Sequence, residues 1–288
     1  MSQQRVVVGI DGSVTSFAAL DAAAAEASLR TADLEVITCV TDLDEAGPVL
    51  RAAVARIAQR HPGLSVTTSA AVGDPAGVLV ERGGDASLLV VGSRGIGGVA
   101  GLLLHSVSRR TAARSAAPLL VVRGADPRCA HPGHRTGGVL LGVESDADAD
   151  AALFAFEEAE LRGSRLDVLH AWTYRQAPAT LPEHGPAEPV RDVIERQART
   201  VAGLPGGLVA PLRQSRPRLA VTSRSVRSTP CRALIEATAD AAMVVVGAQL
   251  RRGWTGPELG PVTLALLRHA HCPVVVVPLA GGQDRARR

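Results

Sequence analysis

Two stretches of the 288-residue chain combine glycines and hydroxyls with a charged residue at spacings suited to anion chemistry. The first is Ile10-Asp11-Gly12-Ser13, where an acid and a glycine lead into a helix-like run. The second is Gly92-Ser93-Arg94-Gly95-Ile96-Gly97-Gly98, followed by Gly101 and then by His105-Ser106-Val107-Ser108. Glycines let backbone approach an anion closely, and the amides and hydroxyls at a helix N-terminus bind phosphate oxygens. The same composition serves ordinary structural turns, so the stretches alone leave both readings open.

Several other chemistries are excluded outright. All 31 basic residues counted as Lys+Arg are arginine. A Walker A loop, a pyridoxal phosphate aldimine and a Schiff-base aldolase each need a lysine, so none can exist here. Aromatic residues make up 2% of the chain, too few for a surface that stacks bases. The net charge of +3 comes from scattered arginines rather than a stripe, which argues against nucleic acid as a partner. Cys39, Cys129, Cys231 and Cys272 lie far apart without a CxxC pair, as expected of a reducing, cytoplasmic setting. No apolar run approaches the length of a membrane span, and no membrane partner is expected.

The elements that must position the two stretches come in duplicate. Residues 73–122 lie on 228–277 without a gap, matching Pro75 with Pro230 and Val90-Val91-Gly92 with Val245-Val246-Gly247. The beginnings match as Val8-Gly9-Ile10-Asp11 over Leu141-Gly142-Val143-Glu144. The later match is offset by 155 positions and the earlier by 133, so the second copy carries 22 extra residues in its middle. Within each copy, short apolar runs alternate with longer helical segments, the signature of a parallel sheet covered by helices on both faces. Strands are expected near 5–10, 34–40, 65–70, 87–91 and 119–122, and again near 138–143, 166–172, 218–224, 242–246 and 274–277. Helices are expected over Ser16–Arg30, Val49–Arg60, Ala76–Arg82 and Ser106–Ser115. The division is 1–124 for the first domain, 125–137 for a linker, 138–280 for the second domain and 281–288 for a basic tail.

The sequence resembles the universal stress protein family, as a tandem member. The resemblance rests on Val-Val-Gly-Ile-Asp-Gly-Ser at 7–13, Val-Val-Gly-Ser-Arg-Gly at 90–95, Leu-Leu-Leu-His-Ser-Val-Ser at 102–108 and His-Ala-His-Cys-Pro-Val-Val-Val-Val-Pro at 269–278. It implies an α/β fold with two open five-stranded parallel sheets of order 3-2-1-4-5, paired through their last strands as an intramolecular pseudo-dimer. One branch of the family binds ATP through G-x2-G-x9-G-[S/T]. That pattern assigns Gly92, Gly95 and Ser106 to the phosphates, with Arg94 inside the same turn. It further assigns Asp11 to the ribose and adenine side, the Cys39 backbone to the base, and a further hydroxyl to Ser108. ATP, with Mg²⁺ held mainly by phosphate oxygens, is the cofactor this implies. His105 stands at the third glycine; if that position needs a positive φ, it costs on the order of 1 kcal/mol. The amide donor remains, so weakened or altered binding is expected.

The second copy departs further, with Leu250 at the second glycine, Gly260 at the third, Pro261 at the hydroxyl and Glu144 for the acid. It is expected to have lost the triphosphate mode and to act as a structural partner. Other candidates weigh less. Cys129, His131 and His134 offer only three clustered ligands in a Pro/Gly-rich linker, so no metal site is expected. Glu157, Glu158 and Glu160 read as a solvated helix face. No carboxylate pair or Ser/His/Asp set is recognisable, and the only base near the phosphates is His105, so at most weak ATP hydrolysis is expected. The reading is therefore a regulatory adenine-nucleotide binder rather than an enzyme. The alternative is a nucleotide-independent stress-response scaffold for a protein partner, and homodimerisation of the whole chain is left open.

Overall fold

A computed structural model describes residues 4–93, 107–123, 137–173, 203–248, 250–253 and 256–279. The first repeat begins with β1 (Arg5–Ile10), whose Val6-Val7-Val8 run is fully buried. Helix α1 (Val14–Arg30) follows, then β2 (Asp33–Val40) and α2 (Ala46–Arg60). Next come β3 (Val66–Val72), α3 (Pro75–Arg82), β4 (Leu88–Gly92), α4 (Val107–Ala112) and β5 (Leu119–Val122). The second repeat runs β6 (Val139–Val143), α5 (Ala149–Leu161), β7 (Leu166–Trp172), α6 (Leu204–Ser215) and β8 (Val221–Arg227). It continues with α7 (Pro230–Ala237), β9 (Met243–Gly247), β10 (Leu250–Gly253), β11 (Gly256–Leu259), α8 (Pro261–His269) and β12 (Val274–Val277).

Each repeat orders its strands 3-2-1-4-5, as the resemblance implies, but the two halves are not separate sheets. They form one ten-stranded sheet, β3-β2-β1-β4-β5-β12-β9-β6-β7-β8. Within this sheet all pairings inside each repeat are parallel, and the single seam between repeats, β5 with β12, is antiparallel. Val274 lies opposite Val121, Val275 opposite Leu120 and Val276 opposite Leu119. The carboxyl ends of the two sets of strands therefore face opposite ways along the sheet. The β10–β11 ribbon is an addition that the repeat pattern does not foresee.

Strand alternation distributes the core to both faces. Val6, Val8, Leu34 and Val36 join Ala53 and Ile57 of α2 on one side, whereas Val7, Ile37 and Leu89 join Leu79 of α3 on the other. The helices nearest the seam present small residues to the sheet. Ala19, Ala22, Ala23 and Ala27 of α1, and Ala151, Ala152, Ala155 and Ala159 of α5, are all fully buried. Alanine favours helix formation and lets a helix lie close to the strands.

That close approach brings two pairs of charges together across the repeats. Glu26 and Arg30 of α1 meet Glu158 and Arg162 of α5 in a closed ring, in which each guanidinium contacts both carboxylates. The carboxylates are 2% exposed and the arginines 6% and 9%. Ions removed from water to this extent are tolerable only when paired on every side. Burial opposes charge on Arg30, but Glu26 and Glu158 hold its guanidinium above the ordinary arginine range. The expectation of a solvated face is thus corrected at Glu158: Glu157 and Glu160 face solvent, while the side chain between them points into the seam.

A second buried polar contact joins β7 to β8, where a His170 ring nitrogen (Nδ1) lies 3.1 Å from Ser225 Oγ. Burial pushes the imidazole below its ordinary value of 6.5, against the opposing pull of Glu144. A histidine held neutral in this way contributes its full stability above pH 6.5 and loses it as pH falls through the lowered value.

Two outcomes follow for stability. Urea unfolding of Arg30→Met should show a loss of about 3–5 kcal/mol, because two buried carboxylates would be left with a single positive charge between them. Combining Glu26→Leu, Arg30→Met, Glu158→Leu and Arg162→Met should restore most of it. For His170→Leu, the stability difference from the parent should change between pH 7 and 5, the parent losing more on acidification. A difference constant over that interval would contradict the assignment.

Candidate functional site

In an open parallel sheet, ligands bind beyond the carboxyl ends of the strands where the strand order reverses. In the first repeat that point lies between β1 and β4, which run side by side from Val6 opposite Leu88 to Gly9 opposite Val91. Beyond Ile10 the chain turns sharply. Gly12 takes a φ of 83°, in the left-handed region where glycine is favoured. The Asp11 carboxylate accepts from the Ser13 amide at 3.0 Å, and Ser13 then caps α1 by accepting from the Ser16 amide at 3.2 Å. Gly92 ends β4 against this turn. A Cβ at residue 92 would stand 2.9 Å from the Thr15 carbonyl oxygen, so only glycine lets the end of β4 meet the first turn of α1 so closely.

Cys39 lies near the end of β2, one residue beyond the Ile10–Thr38 register pair, and is half-buried. Burial raises its thiol, and the nearby Asp74 carboxylate raises it further, so the sulfur is not activated as a nucleophile. Ser108 sits buried in α4, which follows the switch point in chain order. The structure thus brings Asp11, Cys39 and Gly92 to one edge of the sheet. Arg94, Gly95, His105 and Ser106 lie outside the described residues, as do Cys129, His131 and His134, at which no metal site is expected. Among the described residues no group of three or more His, Cys, Asp or Glu could hold a metal ion.

The equivalent edge of the second repeat is filled by its own side chains. Asp148 is 2% exposed, and its Oδ2 accepts from the Glu144 amide at 2.7 Å and the Ser145 amide at 3.1 Å. Ser145 reciprocates through its side chain, completing a capping box before α5. A Cβ on Gly247, the counterpart of Gly92, would lie 2.6 Å from Asp148 Oδ1 and 2.9 Å from Leu279 Cδ2. In the first repeat the residue matching Asp148 is Thr15, which brings no charge. The chain after β9 is committed elsewhere, with Leu250 paired to Leu259 and Gly253 to Gly256 in the antiparallel ribbon. Pro261 opens α8 behind Gly260, a comfortable position for proline that supplies no amide donor.

Sequence reasoning missed the ring formed by Glu26, Arg30, Glu158 and Arg162, although Glu-x3-Arg recurs at a constant offset in α1 and α5. It also missed Asp148, whose Ser145-x2-Asp148 spacing is a legible capping signal.

Comparison with known proteins agrees with this architecture. The model of the universal stress protein family matches residues 3–123 and 137–278. A universal stress protein of Mycolicibacterium smegmatis is 32% identical over 294 residues, covering 94% of this chain and 96% of that protein. One from Mycobacterium tuberculosis H37Rv is 31% identical over 297 residues, covering 95% and 97%. Among solved structures, a universal stress protein from Archaeoglobus fulgidus has the same fold, with a TM-score of 0.65, 17% identity and 96% of both chains covered. With two family matches spanning most of its length and its strands in the 3-2-1-4-5 order twice over, the chain belongs to the universal stress protein family as a tandem member.

Proposed function

We propose that the first repeat binds an adenine nucleotide, ATP, as a regulatory ligand, while the second is a structural partner without a nucleotide of its own. The observation that carries this reading is the contrast between the two glycines at the switch points. Gly92 abuts only backbone, at Thr15 and Ser16 in the first turn of α1, whereas Gly247 is covered by the Asp148 carboxylate and the Leu279 side chain. A triphosphate brought to the second edge would meet a buried negative charge whose amide partners are already taken.

In the first repeat, the family pattern places the base against the backbone around Cys39 and the ribose at Asp11. The phosphates would lie along Gly92, Arg94, Gly95, Ser106 and Ser108, with His105 beside them. Mg²⁺ would be held chiefly by phosphate oxygens. The reading is of binding with little or no turnover. The reading also includes residues 1–124 and 138–280 as the two domains, joined by a linker over 125–137. It further includes a cytoplasmic setting, which suits the free thiols of Cys39, Cys231 and Cys272. Among the described residues no helix is long and apolar enough to cross a membrane.

Calorimetric titration of ATP with Mg²⁺ into nucleotide-stripped protein should give one site per chain. Gly95→Leu, which copies Leu250 of the second repeat, should remove the heat. Two sites, or binding unaffected by Gly95→Leu, would overturn the assignment. No heat and no thermal shift would favour the nucleotide-independent scaffold. Hydrolysis should stay at background in both the parent and His105→Gly; a rate present in the parent and lost in the variant would make the protein a slow ATPase.

A further inference from the structure

The two repeats are matched residue for residue over 73–122 and 228–277, so the chain holds an internal control for which contacts accompany a working site. Helices α3 and α4 pack side by side in the first repeat, and α7 and α8 do so in the second. Asp74 caps α3 by accepting from the Gly77 amide at 3.0 Å. The same carboxylate receives a two-pronged contact from Arg110 of α4, Nη1 to Oδ1 at 2.7 Å and Nη2 to Oδ2 at 2.6 Å. In the second repeat the matching residues are Thr229 and Ala265. Both halves of the pair are missing from the repeat whose switch point is filled, yet the helix packing persists without them. The pair is therefore not what holds these helices together.

Its exposure supports the same conclusion. Arg110 and Asp74 are 40% and 42% exposed, and a pair so open to water adds little to global stability. A planar guanidinium gripping both carboxylate oxygens does, however, fix relative orientation strongly. The part of the helix that is described, Val107–Ala112, carries Arg110 within it. α4 carries Ser108 in its first turn and follows directly on Ser106, the two hydroxyls assigned to the phosphates. Asp74 also lies within electrostatic reach of Cys39 at the end of β2, where the base is assigned.

We propose that Asp74 and Arg110 are positioning residues of the nucleotide site, a strap that fixes the start of α4 relative to the strand edge without touching the ligand. The inference rests on the first repeat being the nucleotide site. Asp74→Asn keeps a side-chain oxygen for the α3 cap but loses the charged fork. Arg110→Lys keeps the charge and loses the fork. Three readouts on the full chain separate the possibilities: melting temperature, hydrogen exchange of the 107–112 amides without nucleotide, and ATP titration.

Both variants should melt close to the parent, exchange faster by about fivefold to tenfold at α4, and bind ATP more weakly by a similar factor. A lowered melting temperature with unchanged ATP affinity would reduce the pair to an ordinary structural contact and overturn the proposal. Unchanged α4 exchange in both variants would overturn it whatever the parent binds. A parent that takes up no ATP would defeat the nucleotide reading instead; faster α4 exchange in the variants would then still uphold the strap as the anchor of α4.

Discussion

The antiparallel pairing of β5 with β12 is the constraint on which the remaining architecture depends. Parallel strands need helical crossovers on both faces, so each repeat alone would end in an exposed, fully apolar last strand. Leu119-Leu120-Val121-Val122 and Val274-Val275-Val276-Val277 are both buried throughout. Neither sequence could face water, and each contributes the other's missing neighbour. Antiparallel pairing satisfies both edges and relates the repeats by an approximate two-fold axis. The same axis brings α1 and α5 together, and with them a self-complementary set of charges: glutamate at one position and arginine four residues later on each helix.

Duplication left the two repeats with one scaffold and different edges. The repeats differ in the core, where Phe156 stands at the position of Ala23. They differ at the edge too: Asp148 stands where the first repeat has Thr15, a paired ribbon follows β9, and a leucine at 279 covers the switch-point glycine. In the second repeat the Asp148 carboxylate takes the backbone amides of 144 and 145, and Leu279 lies over Gly247, so this edge satisfies its own polar and apolar groups.

The fold was legible because buried parallel strands have to be written as continuous Val/Leu runs, and because the repeat supplied each element twice. Val221–Arg227 was the hardest strand to place, three residues from its expected start. It is an edge strand with half-exposed residues, so its alternation is weak. Glu158 was misread for a different reason: helical position says which face a residue occupies, but not that another helix from the partner repeat covers that face. The ribbon at Leu250–Leu259 was hidden by alignment itself, since matching it to a glycine-rich turn invited the wrong conformation. At the site, Asp11, Cys39 and Gly92 reached the expected edge because strand register fixes them. The Asp74–Arg110 contact joins residues 36 positions apart and has no periodicity to announce it.

The seam and the site are mechanically continuous through α1. Ser13, part of the Asp11–Gly12–Ser13 turn, caps the helix at one end, and Arg30 in its last turn is held in the charge ring at the other. Seventeen helical residues span about 25 Å, so the helix reaches from the switch point of the first repeat to the partner repeat's α5. Between those ends its buried face, alanines together with Leu20, is close-packed onto β1 and β4. A turn attached to such a helix is not free to choose its own conformation. The left-handed Gly12 and the tight approach of Gly92 persist because the surrounding packing determines them, and part of that packing belongs to the second repeat. The second repeat is therefore part of what holds the first repeat's switch point, as the body against which α1 is braced.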